Sequence, residues 1–449
     1  MIFSQAQEIV NKSITRQKEQ FSRDRRKLVY KLLDYYNGDN TAQYIKPYFN
    51  AASFREIPCT SMNITKRFID RLSQIYTLGA SRTLTSKQDT YDSLSRLKDI
   101  KLKHLEKMTR LLGTIAVKID LKNDKDLPYF DYSPKYAFDV ITDELDPTKV
   151  IAIKYPVITR SEESNFSDKE TDVIQYVYYD EEGYIIYNEN GKELKAESHG
   201  LGVLPFIFLH KQQQQLEFFC PPAYDIMSTN EMINILYTEM NLGMRFQMFG
   251  QYVITGMYDD KLMERAGSDQ MVVLPEGSDL SIVAPSVNVS DALRLGQSML
   301  QIVASNNHLT ISFEENHSDR PQSGVALAIR DLERKTQAVD DLNIWSFYEH
   351  EIYEMERLIA SRNNISLPNT IGIDFNEPED VMTKQEEVMY NQFLLEHNLI
   401  TPAKILQKMN KDLTIEQAAD IIKENEGING TKENQSIFGR LQSQTQRTE

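Results

Sequence analysis

Side chains that could do chemistry are few here, and their spacing suits no familiar reaction. Asp139, Asp143, Glu144 and Asp146 form one acidic cluster, and Glu314, Glu315, His317 and Asp319 form a second. Grouped carboxylates can hold divalent metal for nucleic-acid cleavage, but both groups lie in polar stretches and read as solvated loop faces. The histidines His104, His199, His210, His308, His317, His350 and His397 show no zinc-ligand spacing. Cys59 and Cys220 do not make a disulfide framework. No glycine-rich loop ends in Gly-Lys-Ser/Thr, and no Gly-x-Ser-x-Gly elbow occurs. The expectation is a chain without catalytic residues, metal or cofactor, hence not an enzyme.

The bulk properties point the same way. The chain has 449 residues, enough for two or three domains, and 41% hydrophobic residues, enough for a sizeable core. Its formal net charge of −16 argues against gripping a phosphate backbone over a large area. The first thirty residues carry Arg16, Lys18, Arg23, Arg25, Arg26 and Lys27 without an apolar run, so no secretory leader is expected. No apolar stretch is long enough to span a bilayer, and no membrane partner is expected.

The elements are organised around 224–359. Tyr224–Phe249 reads as a helix with Met227, Ile233, Leu236, Tyr237, Met240, Met244 and Met248 on more than one face. A helix apolar on several sides is buried or packs against neighbours in an assembly. A return helix is expected over Val289–Ala304, carrying Leu293, Leu295, Met299, Leu300 and Val303. A very long helix is expected from Ser323 to Arg362, about ten turns at 3.6 residues each. Between the first two helices lie strand candidates Tyr252–Thr255, Met271–Leu274 and Leu280–Ala284, too small a unit to be stable alone.

Earlier in the chain the pattern is helical: Gln5–Tyr36 ending at Gly38, Asn63–Tyr76, and a third helix capped by Asp89. The period then changes to two. Thr114–Leu121, Lys149–Tyr155, Val173–Tyr179, Gly183–Tyr187 and Val203–Leu209 predict a largely antiparallel β block over 113–210. Pro156 and Pro205 are expected at strand edges or starts. After Arg362 the reading is a loop over Asn363–Asn376 and then short helices, with Pro378 in a first turn. Thr401–Pro402 starts a helix, and Thr414 with Gln417 makes a capping box. The tail from Gly427 is polar and expected to be disordered.

Several strings, taken in order, resemble one family. Leu33-Asp34-Tyr35-Tyr36-Asn37-Gly38 is similar to the family's early helix end. Asn63-Ile64 with Phe68-Ile69-Asp70 and Tyr76-Thr77-Leu78-Gly79 resembles its next helix. His199-Gly200-Leu201-Gly202 with Leu204-Pro205-Phe206 resembles the strand before its stem. Ser323-Gly324-Val325-Ala326-Leu327 resembles the start of its long helix, and Asn376-Glu377-Pro378-Glu379-Asp380 the entry to its crown. The family is that of portal proteins of tailed double-stranded DNA phages, in its siphophage-like branch. The family's long helix is kinked; here no proline or glycine marks such a break, and only Thr336 interrupts the stripe.

The resemblance implies an α+β portal fold. Residues 1–222 would be a wing, with helices in 5–112 and a β-rich part in 113–210. Residues 223–250 and 289–305 would be stem helices, with Met240, Met244, Leu293 and Met299 in stem packing. Residues 251–288 would be a clip, with Asp260, Lys261, Glu264 and Asp269 meeting partners. Residues 306–322 would be a tunnel loop, with Asn306, Asn307, His308, Glu314, Glu315, His317 and Asp319 facing the channel. Residues 323–375 would hold the long spine helix and a loop, and 376–449 a short crown with a disordered tail. The implied assembly is a homo-oligomer, a dodecamer in the virion, at the portal vertex of the capsid. Double-stranded DNA would pass non-specifically through its channel. Its partners would be a large terminase ATPase, a head–tail adaptor, and the major capsid and scaffold proteins, with assembly in the host cytoplasm. The alternatives are another virion structural protein, such as a scaffold or tail component, or a metal-dependent enzyme acting on nucleic acid.

Overall fold

The computed structural model describes residues 20–50, 58–77, 79–124, 127–143, 145–160, 172–213, 217–249, 251–256, 277, 279–283, 288–309, 311, 332–375, 391–392, 395, 400–409 and 414–429. They divide into two compact units: Met1–Arg320 with Ile329–Glu377, and Pro321–Ala328 with Pro378–Glu449.

The described part of the first unit opens with helix α1 (Gln20–Asn37), which buries Val29, Leu32, Tyr35 and Tyr36 on one face; the expected helix start at Gln5 lies outside the described residues. It stops at Gly38, whose φ of 83° suits a glycine and whose N–H bonds to the Asp34 carbonyl at 2.8 Å. A short helix α2 (Thr41–Ile45) follows, then α3 (Ile64–Leu72). Asn63 caps α3, its Oδ1 accepting the Lys66 N–H at 3.1 Å. The expected continuous helix to Tyr76 breaks after Leu72. The N–H groups of Ile75 and Tyr76 turn instead to the Glu106 carboxylate, at 3.1 and 3.2 Å. The expected third helix is two, α4 (Gln88–Leu94) and α5 (Lys98–Leu112). Asp89 lies inside the first turn of α4 rather than capping it; Lys87, at φ 59°, holds the cap position.

Among the described residues all strands pair antiparallel, in four sheets. Strand β1 (Ala80–Leu84) pairs with a strand much later in the chain. Strands β2 (Thr114–Asp124) and β3 (Leu127–Lys135) form a hairpin. A five-stranded meander follows: β4 (Asp139–Thr142), β5 (Val150–Arg160), β6 (Asp172–Tyr179), β7 (Gly183–Asn188) and β8 (Glu193–Ser198). Strand β9 (Phe206–His210) returns to the free side of β2, giving the order β3-β2-β9. Strand β4 pairs with β5 only as far as Lys154, so Pro156 lies where one flank of β5 has no neighbour and a missing N–H is tolerated. Pro205 immediately precedes β9.

Helix α6 (Tyr224–Phe249), strands β10 (Gln251–Thr255) and β11 (Asp279–Val283), and helix α7 (Val289–Asn306) come next. Helix α8 (Leu332–Arg362) crosses the body, and strand β12 (Ile371–Phe375) pairs with β1, Leu84 opposite Ile371 and Ala80 opposite Phe375. Residues 371–375 were expected in a loop; Ile371, Ile373 and Phe375 alternate, and β1 supplies their partner. One main core joins α1, α3, α5, β2, β9, the inner ends of α6 and α7, and α8. The long helix was expected from Ser323; its residues 323–331 lie outside the described residues, as do Met271–Leu274 and Pro378.

In the second unit, α9 (Pro402–Met409) and α10 (Ile415–Asn429) pack on one another. Thr414 and Gln417 form a reciprocal capping box, Thr414 N–H to Gln417 Oε1 at 3.0 Å and Gln417 N–H to Thr414 Oγ1 at 3.3 Å. Helix α10 runs through Gly427 to Asn429, three residues into the stretch expected to be disordered.

Candidate assembly interface

The chain enters α6 along a fixed track. Gly113 links α5 to β2 at φ 78°, and a Cβ there would sit 2.3 Å from the Cys220 carbonyl oxygen. Only glycine fits both constraints. The Ala223 N–H bonds to the Leu111 carbonyl at 2.9 Å, so the start of α6 is tied to the end of α5. Along α6, Asn230, Asn234 and Thr238 recur every fourth residue and are buried. Their side-chain oxygens accept the backbone N–H groups of Ile64 at 3.0 Å, Met62 at 2.8 Å and Thr60 at 3.1 Å. This polar stripe fastens the helix to the otherwise irregular connector before α3. The Lys31 ammonium adds an ion pair to Glu231 at 2.7 Å.

Beyond Thr238 the environment changes. Met240 and Met244 are half-buried, and Phe246 and Met248 are exposed, Met248 at 77%. Helix α7 mirrors this. Its outer part leaves Leu293 and Leu295 exposed, and Ile302, nearer the body, is 62% exposed; Val303 and Ala304 join the main core. Met299 is half-buried. The two helices run antiparallel in contact. A Cβ at Gly296 would lie 3.6 Å from Leu236 Cδ2, ordinary packing distance, and Asn307 Nδ2 donates to Asp225 Oδ2 at 2.8 Å at the inner end. At the outer end β10 and β11 form a two-stranded ribbon, Gln251 opposite Val283. The result is a hairpin rooted in the core, with apolar side chains left uncovered along its length.

Of the remaining sequence-derived sites, Asn306 ends α7, Asn307 also donates to the Val303 carbonyl at 2.9 Å, and His308 is exposed at φ 55°. Glu314, Glu315, His317 and Asp319, and the clip residues Asp260, Lys261, Glu264 and Asp269, lie outside the described residues. Asp139 binds Arg25 at 2.6 Å and lies 3.7 Å from Arg26. The Asp143 and Asp146 carboxylates accept turn N–H groups from Leu145 and Thr148. Among the described residues no group of three or more His, Cys, Asp or Glu is placed to hold a metal ion. None of their helices is long and apolar enough to cross a membrane.

No protein-family model and no curated protein matches this chain.

A buried ionic cluster on α8 escaped sequence reading. Lys98, wholly buried, lies 3.1 Å from Glu349 and 2.9 Å from Glu356. Arg82 donates its Nε to Glu349 at 3.0 Å and pairs with Asp99 at 2.8 Å. The hydroxyls of Tyr76 and Tyr91 donate to Glu349 and Glu356, both at 2.9 Å, and Tyr132 donates to Glu356. Burial alone would raise the Glu349 carboxyl, but Lys98 and Arg82 outweigh it and hold it at about 2. The cluster binds α4, α5, β1 and β3 to α8. Its signal was present: Glu349 and Glu356 share the apolar face with Trp345, Ile352 and Ile359. The arrangement is a cross-braced body carrying a hairpin with uncovered apolar side chains.

Proposed function

We propose that this chain is the subunit of a closed homo-oligomeric ring that acts as a portal for double-stranded DNA at one vertex of a phage capsid. The observation that carries the reading is the α6–α7 hairpin, anchored at its inner end and apolar and uncovered further out. Such a surface calls for further copies, because contiguous exposed apolar side chains mark interaction sites. Copies joined head to tail leave no free face only when the rotation closes into a ring. The ordered resemblance of local strings to siphophage-like portals supplies the biological setting, and the net charge of −16 suits a conduit whose wall does not hold DNA.

In this reading the hairpins pack side by side around the channel, and the segment after α7 borders the bore. The segment joined by the β10–β11 ribbon docks a terminase ATPase during filling and a head–tail adaptor afterwards. Purified protein should form rings with a central hole in negative-stain images, with a dodecamer as the assembly in the virion. Monomers or open filaments would instead point to a scaffold or tail component. Metal-dependent DNA cleavage abolished by Asp143→Asn or Asp319→Asn would point to a nuclease.

A further inference from the structure

A concavity of about 490 Å³ opens on α3, lined by Asn63, Lys66, Arg67, Asp70 and Arg71. Its one acid does not neutralise it. Asp70 Oδ1 is 2.7 Å from the Lys107 ammonium and accepts the Tyr36 hydroxyl at 2.9 Å. Asn63 is also engaged, with Nδ2 donating to the Tyr36 carbonyl at 2.9 Å and Oδ1 capping the helix. The Lys66 ammonium lies 5.9 Å from the centre of the Tyr36 ring. Arg67 and Arg71 are exposed, and among the described residues neither has an ion-pair or hydrogen-bond partner. Four residues apart, they share one face of α3. Two guanidinium forks in that arrangement suit carboxylates.

Lys66, Arg67 and Arg71 thus bring three cations to one hollow, none with an ion-pair partner among the described residues, in a chain of net charge −16. A second copy of such a chain presents a predominance of carboxylates. The concavity opens on a helix that packs on the buried inner part of α6, the Ile64 N–H of α3 bonding to Asn230 Oδ1 at 3.0 Å. Resting on the ring reading, we infer that this concavity receives carboxylates from the adjoining copy, as the charged rim of the apolar hairpin interface. A heterologous contact sets one face of a subunit against a different face of the next, so a cationic hollow can meet an acidic surface. Rim charges of this kind govern the rate and register of association more than its final strength.

The test compares wild type with Arg67→Glu/Arg71→Glu and Arg67→Gln/Arg71→Gln. Assembly is followed by light scattering in about 0.05 M and about 1 M salt, and the products by native mass spectrometry. The reversed pair should slow assembly on the order of ten-fold at low salt. The neutral pair should fall between it and wild type, and the three should converge at high salt. Thermal unfolding of the subunits should be unchanged, because both arginines are exposed. Wild-type rates for the reversed pair at both salts overturn the inference while leaving the ring reading intact. A wild type that never assembles overturns both. Unchanged assembly with loss of binding to a short DNA duplex gives the concavity to nucleic acid and also overturns the inference.

Discussion

Glu349 and Glu356 show how much a single carboxylate carries when its partners are buried with it. Removing Glu349 leaves Lys98 without one of its two counter-charges, Arg82 with Asp99 alone, and the Tyr76 hydroxyl without its acceptor. Deleting one partner of a buried ion pair costs about 3–5 kcal/mol, so Glu349→Ala should lose that much in urea unfolding. A loss below about 1 kcal/mol would mean that the site rehydrates and the cluster is not structural. Glu106 and His210 make a second case, through pH. Burial pushes Glu106 up to about 7, against the Tyr76 and Ile75 N–H groups and Arg110. The folded state therefore takes up a proton between its ordinary 4.5 and about 7 that the unfolded chain does not. That stability is full below 4.5 and lost as pH rises through 7. Burial lowers His210 from 6.5 to about 4, with Thr114, Cys220 and Phe218 around the ring. The unfolded chain then binds the extra proton, and stability is lost as pH falls from 6.5 toward 4. The two slopes oppose each other where they overlap. The Glu106→Gln variant should therefore lose stability more steeply than wild type between pH 6.5 and 4.5. Parallel melting curves for the two proteins across that window would refute the assignment.

Helices α6 and α7 are held by different means at their two ends, and this separates folding from assembly. Leu295 and Ile302 are exposed in the subunit, at 53% and 62%. Leu295→Asp and Ile302→Asp should leave subunit melting nearly unchanged, since surface substitutions stay within about 0.5 kcal/mol. Each should nonetheless block association by setting a charge against an apolar face. Met240→Asp, at a half-buried position, should disturb both. Sedimentation of the two exposed variants decides the point, and assembly at wild-type concentration would remove α7 from the interface. The sequence shows α6 at its observed bounds because apolar residues recur on more than one face and no proline interrupts them, and α7 within two residues for the same reason. Strands β2, β5, β6, β7 and β9 are visible through their period of two. Helix α3 stops early through a carboxylate from α5 that no local pattern reveals. Strands β1 and β12 are short, and their pairing joins distant parts of the chain, so neither segment alone carries enough signal. The stripe Asn230, Asn234, Thr238 and the pair Glu349, Glu356 are legible only as polar residues on apolar faces, and their partners come from elsewhere in the fold.

For the molecule as a whole, the decisive property is that the body has a core without the outer hairpin. The main core takes Ile226 and Met227 from α6, Ala223 from just before it, and Val303, Ala304 and Leu309 from the returning arm, all at the inner end of the hairpin. The stretch between contributes few buried apolar residues; Gly296 meets α6 near Leu236, where the two helices touch. A short glycine-serine linker joining Glu239 to Leu295 should therefore span the gap. It would replace 240–294, including the β10–β11 ribbon and most of the exposed outer part of α6. The shortened chain should fold cooperatively, keep the Lys98 cluster intact, and remain a monomer where the full chain assembles. Analytical ultracentrifugation gives the mass, and near-ultraviolet dichroism reports the packed Trp345 and tyrosines. A shortened chain that still forms rings would move the interface onto the wing. One that fails to fold would make the outer hairpin part of the body's own core, and the uncovered apolar side chains would then need another explanation.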